Sequence, residues 1–342
     1  MDVQTLESTA KELVASGKGI LAADESSGTL TKRFEGVDIE STEESRRQYR
    51  ELLFGTPGIG EFISGAIMYD ETIRQSDSNG IPFAELLNNQ GVIPGIKVDQ
   101  SAKPMPLSPE EKFTQGLEDL ADMLEEYKEM GARFCKWRAV ITIGDGIPTK
   151  ACIEANARQL ALYAAFCQEA DLVPIIEPEV LIDGDHSIDR HAEVSEWVLS
   201  STFRELHEFG VRPEGMLLKP NMVTSGKDAA EQAGPEEVAR YSIRTMRRCV
   251  PAAVPGIVFL SGGQDDVGAT EHLNTMNTMY DNLPWEISFS WARALQGRPM
   301  ETWGGDPRNV EEARKLLYHR ARMSSAARQG DWSSKMEEEA VA

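Results

Sequence analysis

The chain has 342 residues, 41% hydrophobic and 27% charged, a composition that fits a folded globular protein and excludes a disordered or fibrous one. Thirty-five Lys and Arg stand against 56 Asp and Glu, and the resulting net charge of −21 repels nucleic acid and anionic membrane, so neither partner is expected. No stretch approaches the roughly 20 apolar residues of a bilayer span, and the acidic, amphipathic start has no secretory or transit pattern, so the expected compartment is the cytoplasm.

Taken in chain order, short runs rich in Ile, Val, Leu and Phe lie at 19–23, 63–69, 92–98, 132–141, 172–180, 215–218, 256–260 and 286–289. Amphipathic stretches of helical length separate them, at 42–53, 109–130, 149–169, 189–209, 235–249, 266–280 and 310–327. Ser108-Pro109-Glu110-Glu111 has the form of a helix start, with a cap, a first-turn proline and first-turn acids. Gly131 and Gly210 are placed as C-terminal helix caps.

Strands alternating with helices imply parallel pairing through crossover helices. Eight strands without a Gly/Ser/Pro-rich linker predict a single (β/α)8 TIM barrel over 1–328, followed by an acidic, solvated tail over 329–342. The alternation alone also fits a doubly wound open sheet. Gly17-Lys18-Gly19 matches a loose dinucleotide fingerprint, but its glycines precede the strand where that motif needs them to follow one.

Cys135, Cys152, Cys167 and Cys249 are scattered thiols with no paired spacing, and core packing accounts for Cys135 and Cys167. The five histidines form no metal-binding cluster, and Asp183-Gly184-Asp185-His186 reads as a turn and helix cap. No metal is expected.

The C-terminal ends of barrel strands face the mouth where barrel enzymes do their chemistry. Here those ends are charged: Asp24, then Lys97 and Asp99, then Lys136 and Arg138, then Glu177 and Glu179, then Lys219. Residues two apart on a strand share a face, so Lys136 points with Phe134 and Arg138, and Glu177 with Glu179. If that face is the lumen, Lys136 needs carboxylate partners, and Glu177 and Asp24 are the obvious ones. Interior ion pairs that only fix the fold are the plain alternative, although apolar packing stabilises better.

Lys219 leaves the apolar Met216-Leu217-Leu218. Desolvation and a second cation nearby both disfavour an ammonium, and a neutral lysine amine attacks carbonyl carbon to form a Schiff base. A lysine that reaches out to solvent is the alternative for this position taken alone. After the seventh strand, Ser261-Gly262-Gly263 can gather backbone N–H groups around an anion, with Arg293 as counter-charge after the eighth.

These motifs are carried by Gly17-Lys-Gly-Ile-Leu-Ala-Ala-Asp-Glu-Ser26, Gly95-Ile-Lys-Val-Asp99, Lys136-Trp-Arg138, Ile176-Glu-Pro-Glu179, Leu217-Leu-Lys-Pro-Asn-Met-Val223 and Phe259-Leu-Ser-Gly-Gly-Gln264. Over almost its whole length the chain resembles the class I, Schiff-base-forming fructose-bisphosphate aldolases. The resemblance implies reversible cleavage of fructose 1,6-bisphosphate to two triose phosphates, with no metal or other cofactor and a homo-oligomer, commonly a tetramer. It implies Lys219 as nucleophile, Glu177 as acid/base supported by Glu179, and Asp24 with Lys136 where the carbon–carbon bond breaks. Ser261, Gly262 and Arg293 would grip one phosphate, and Ser26, Thr29, Arg33, Lys97 and Arg138 the rest of the sugar and its second phosphate.

Three departures from the animal pattern bear on these expectations. Thr29 replaces a serine but keeps the hydroxyl, and Ala292 replaces a phosphate-contacting glycine. The animal enzymes end in a tyrosine that assists proton transfer to the enamine, whereas the last tyrosine here is Tyr318, so that step is expected to use another group or to be slower. The competing readings are an aldolase for another ketose phosphate, a metal-dependent barrel enzyme and an idle sugar-phosphate-binding module.

Overall fold

In the computed structural model, residues 1–338 are described. The strands are β1 (Gly19–Ala22), β2 (Ile63–Met68), β3 (Ile93–Lys97), β4 (Ala102–Met105), β5 (Ser108–Thr114), β6 (Phe134–Ile141), β7 (Val173–Val180), β8 (Leu217–Leu218), β9 (Gly256–Phe259) and β10 (Glu286–Trp291). All but β4 and β5 run parallel in a closed barrel, in the order β1-β2-β3-β6-β7-β8-β9-β10 and back to β1. Around it lie α1 (Val3–Leu13), α2 (Ser27–Glu35), α3 (Glu43–Phe54), α4 (Asp70–Ile73), α5 (Phe83–Asn89), α6 (Leu120–Glu129), α7 (Lys150–Glu169), α8 (Ile188–Glu208), α9 (Pro235–Cys249), α10 (Asp266–Met279), α11 (Arg293–Trp303) and α12 (Val310–Gln329). This is the (β/α)8 barrel, and the open sheet is excluded.

The alternation along β6 explains how the barrel fills. Phe134 joins the interior cluster with Ile20, Ile67, Ile93, Val173, Ile175, Leu217 and Val258, while Cys135 and Trp137 pack outward into the layer beneath the helices. A Cβ at Gly95 would lie 2.2 Å from the Phe134 ring, so only glycine lets that ring close the lumen. Leu6, Ala10, Leu13 and Val14 from α1 and its end pack on the same cluster and plug the barrel floor. With the lower lumen apolar and closed, the charged residues two and four positions further along β6 and β7 come to lie toward the other end.

One helical expectation is wrong. Residues 108–114 form β5 of an antiparallel hairpin, and the helix starts only at Leu120. Ser108 does not cap: its hydroxyl donates to Glu111 at 2.9 Å, and the Glu111 carboxylate instead accepts from Thr149 N and Oγ1 at 2.6 and 2.7 Å, ahead of α7. A tertiary partner 38 residues away outweighs the local cap signal. Helices α2, α4, α5 and α11 are further elements absent from the sequence reading.

The acidic tail is corrected in part. After Gly330, in the left-handed region at φ 75°, the chain folds back: Trp332 is buried and its indole N–H donates to Glu337 at 3.0 Å. Glu337 in turn lies 2.6 Å from the buried Arg320, so this segment is docked through a buried ion pair. The remaining tail, Glu339 to Ala342, lies outside the described residues. Cys135 and Cys167 are fully buried, Gly131 and Gly210 take positive φ after α6 and α8, and Ser187, just past the predicted cap residues, caps α8. Among the described residues no helix is long and apolar enough to cross a membrane, and no group of three or more His, Cys, Asp or Glu is arranged to hold a metal ion.

Candidate active site

Strand register brings the charged ends together. On β6 and β7, Lys136 stands opposite Ile175, Arg138 opposite Glu177 and Val140 opposite Glu179, and Lys97 of β3 stands opposite Lys136. Lys136 Nζ lies 2.6 Å from Asp24 Oδ2 and 3.0 Å from Glu177 Oε2, with Asp99 Oδ2 at 4.0 Å. Lys219, just past β8, is anchored by its N–H donating to Ile176 O at 2.8 Å, and its Nζ is 3.1 Å from Glu177 Oε1. Two buried amines therefore share one buried carboxylate, the arrangement anticipated for Lys136, Glu177 and Asp24.

Electrostatics fix the ionisation of this cluster. Burial pushes Asp24 up, but Lys136, Lys219 and Lys97 outweigh it and hold the carboxyl well below the usual range. Glu177 follows the same balance: burial raises it, and Lys136, Lys219 and Arg138 bring it below the ordinary glutamate value. For Lys136 burial acts downward, and Asp24, Glu177 and Asp99 together raise it above the ordinary lysine value. Both carboxylates are thus ready to accept protons at neutral pH, and Lys136 is a fixed cation.

A second group leads to the glycine loop. Arg138 pairs with Glu179, and a Cβ on Gly262 would come 3.9 Å from Glu179 Oε1. Gly262 and Gly263 both sit in the left-handed region, at φ 57° and 92°, so consecutive N–H groups turn toward one side. A Cβ on Gly263 would lie 3.3 Å from the Arg293 guanidinium, which places that cation against the loop. Arg293 has no carboxylate partner among the described residues. Lys97 pairs with Asp99 at 2.9 Å, while Ser26 caps α2, its hydroxyl 3.1 Å from that of Thr29. Arg33, from the last turn of α2, pairs with Glu25.

Ser290, which by sequence directly follows the eighth apolar run, is the last but one residue of β10 beside β1, fully buried, with a hydroxyl that has no partner among the described residues. The roles of other residues around the site are not legible in the sequence. Gln264 donates to Ser261 O at 3.1 Å and holds His272 Nδ1 at 2.6 Å, bracing the glycine loop from α10. Burial brings His272 down to about 4, so it stays neutral and its Nδ1–H is the donor. Glu25 and Arg50 form a buried pair directly behind Asp24. Only the adjacency of Glu25 to Asp24 hinted at this; Arg50 reads in sequence as one more charge on a helix. Tyr318 is remote, its hydroxyl donating to Glu61 before β2, at the opposite end of the barrel.

A closed (β/α)8 barrel whose mouth gathers buried lysines, buried carboxylates and a glycine loop beside an arginine has the architecture of a barrel enzyme. Residues 5–342 match the family model described as fructose-bisphosphate aldolase class-I. A probable fructose-bisphosphate aldolase class 1 from Xanthomonas campestris pv. campestris is 52% identical over 333 residues, covering 97% of this chain and 99% of that one. Fructose-bisphosphate aldolase of Plasmodium falciparum is 49% identical over 331 residues, covering 96% and 89%. A crystal structure of the P. falciparum enzyme, in complex with TRAP and a small-molecule inhibitor, superposes with a TM-score of 0.95 at 48% identity, covering 97% of this chain and 96% of that one. The chain belongs to the class I fructose-bisphosphate aldolase family, whose members are lyases acting on sugar phosphates.

Proposed function

We propose that the chain cleaves fructose 1,6-bisphosphate reversibly to dihydroxyacetone phosphate and glyceraldehyde 3-phosphate through a Schiff base on Lys219. The observation that carries this reading is the buried Lys219 amine 3.1 Å from a carboxylate that is itself held by Lys136 at 3.0 Å. Glu177 takes a proton from Lys219, and the free amine attacks C2 of the ketose. The alkoxide gains a proton from the attacking nitrogen, giving a neutral carbinolamine. Glu177 returns its proton to the C2 hydroxyl, which leaves as water, and the iminium remains with Glu177 again ionised. Every proton is accounted for within this pair.

Asp24, held ionised by Lys136, takes the C4 hydroxyl proton while the C3–C4 bond breaks. The bonding pair flows into the iminium, so the product is a neutral enamine rather than a bare carbanion. The aldehyde leaves, the proton taken by Asp24 is passed on to C3, which restores both the Asp24 carboxylate and the iminium, and hydrolysis of that iminium releases the ketone. Tyr318 has no part in this, because it lies at the opposite end of the barrel.

Ser261, Gly262 and Arg293 hold one phosphate, and Ser26, Thr29, Arg33, Lys97 and Arg138 hold the remaining sugar and second phosphate. Ala292 is compatible with the first grip. Its φ is negative, at −101°, and its side chain packs against the interior apolar cluster. The working form is proposed to be a cytoplasmic homotetramer, checked by light scattering on the purified protein.

The test is turnover of fructose 1,6-bisphosphate and fructose 1-phosphate, each with and without a chelator. Cleavage that ignores the chelator and favours the bisphosphate supports the proposal. Chelator-sensitive cleavage, or none by folded protein, contradicts it.

A further inference from the structure

Glu25 follows Asp24 at the end of β1, and its side chain is only 4% exposed although it is a carboxylate. Its Oε1 pairs with Arg33 Nη1, and its Oε2 lies 3.0 Å from Arg50 Nη1. Arg50 also donates from Nη2 to the Glu25 carbonyl at 3.2 Å, gripping side chain and backbone together. Gln296 donates to Glu25 Oε1 at 3.4 Å and to Ala22 O, and is fixed by Tyr49, whose hydroxyl donates to it at 3.0 Å. The carboxylate is held from three elements, α2, α3 and α11.

Two guanidiniums meet one carboxylate, so the trio carries one net positive charge. Arg50 is 1% exposed and Arg33 22%, so the surplus charge reaches solvent through Arg33 alone. A Glu25–Arg33 pair without Arg50 would be neutral. Apolar residues would stabilise this position at least as well, and a triad with an excess cation therefore calls for a role other than stability. Among the described residues Glu25 engages only Nη1 of Arg33, which leaves the Nε and Nη2 edge of the fork for a second anion.

We infer that Glu25, backed by Arg50, is a positioning residue that aims the Arg33 fork at the second phosphate and so sets the preference for a bisphosphate over a monophosphate. This rests on the function proposed above and assigns to Glu25 no contact with substrate.

The test uses two ligands without a carbonyl, hexitol 1,6-bisphosphate and hexitol 1-phosphate, titrated calorimetrically into the full-length protein, so it does not depend on turnover. Glu25→Gln raises the charge of the trio from one to two. A pure charge effect would tighten the bisphosphate, whereas loss of aim weakens it. The expected result is bisphosphate binding about tenfold weaker and monophosphate binding changed by less than about twofold. Glu25→Asp, which keeps the charge beside Arg50 but draws the carboxylate back by one methylene, is expected to give the same split and serves if the amide variant does not fold. Arg33→Lys should give the split as well, and adding it to either Glu25 variant should cost nothing further. Unchanged or tighter bisphosphate binding, an equal loss for both ligands, or wild-type protein that does not distinguish the two ligands would each overturn the inference. Binding as expected together with no reaction at Lys219 would leave this inference standing and remove the proposed chemistry.

Discussion

Lys136→Met removes the cation at the centre of the buried cluster while preserving most of the side-chain volume. The methionine leaves Asp24 and Glu177, formerly 2.6 and 3.0 Å from Nζ, with Lys219 as their nearest remaining cation. Removing one partner from a buried ion pair costs about 3–5 kcal/mol, against a total stability of about 5–15 kcal/mol for a typical domain, so the variant should fold but be clearly weaker. Urea unfolding at pH 7 gives the difference. Its pH dependence tests the cause. In the wild type the Asp24 value is depressed below its unfolded value, so its contribution is complete above about pH 4 and lost as pH falls toward the lower folded value. Without Lys136 that depression shrinks, and the variant should lose less on acidification, so the gap between the proteins narrows below about pH 4. Adding Asp24→Asn should recover part of the loss, because the orphaned carboxylate disappears. Equal stability at pH 7, or a gap that widens in acid, would refute the reasoning.

Gly262→Ala forces a side chain into φ 57° with its Cβ 2.8 Å from Leu260 Cδ1, and inhibition by inorganic phosphate should weaken at least about fivefold, read from steady-state rates. Ala292→Gly should move the same inhibition constant by less than about twofold, since the methyl packs on the interior cluster. Glu337→Ala strips the buried Arg320 of its 2.6 Å partner and should lower the unfolding free energy by about 3 kcal/mol in urea titrations.

The eight strands were legible because each is a short apolar run bounded by turn residues, and lumen-facing Lys136 required carboxylates that other strands had to supply, Glu177 from the neighbouring β7 and Asp24 from the end of β1 across the mouth. The hairpin at 102–114 was not legible. Pro109 and two glutamates satisfy a local helix-start rule, yet the decisive contact of Glu111 is with Thr149, far along the chain. Glu25 and Arg50 show the same limit at the site. Charges on helices usually face water, and nothing in the spacing of 25 and 50 marks this pair as buried. Trp332 and Glu337 were hidden for a related reason, since an acidic terminal stretch reads as solvated until its buried arginine partner is seen.

Reductive trapping tests the central claim most directly. Borohydride is added to the protein with dihydroxyacetone phosphate, and the product is read by intact mass and peptide mapping, with Lys219→Ala as control. The account predicts one reduced adduct on Lys219, formed equally with chelator present and missing from the variant. A folded, phosphate-binding protein that gives no adduct, or gives it on Lys136 instead, would contradict it.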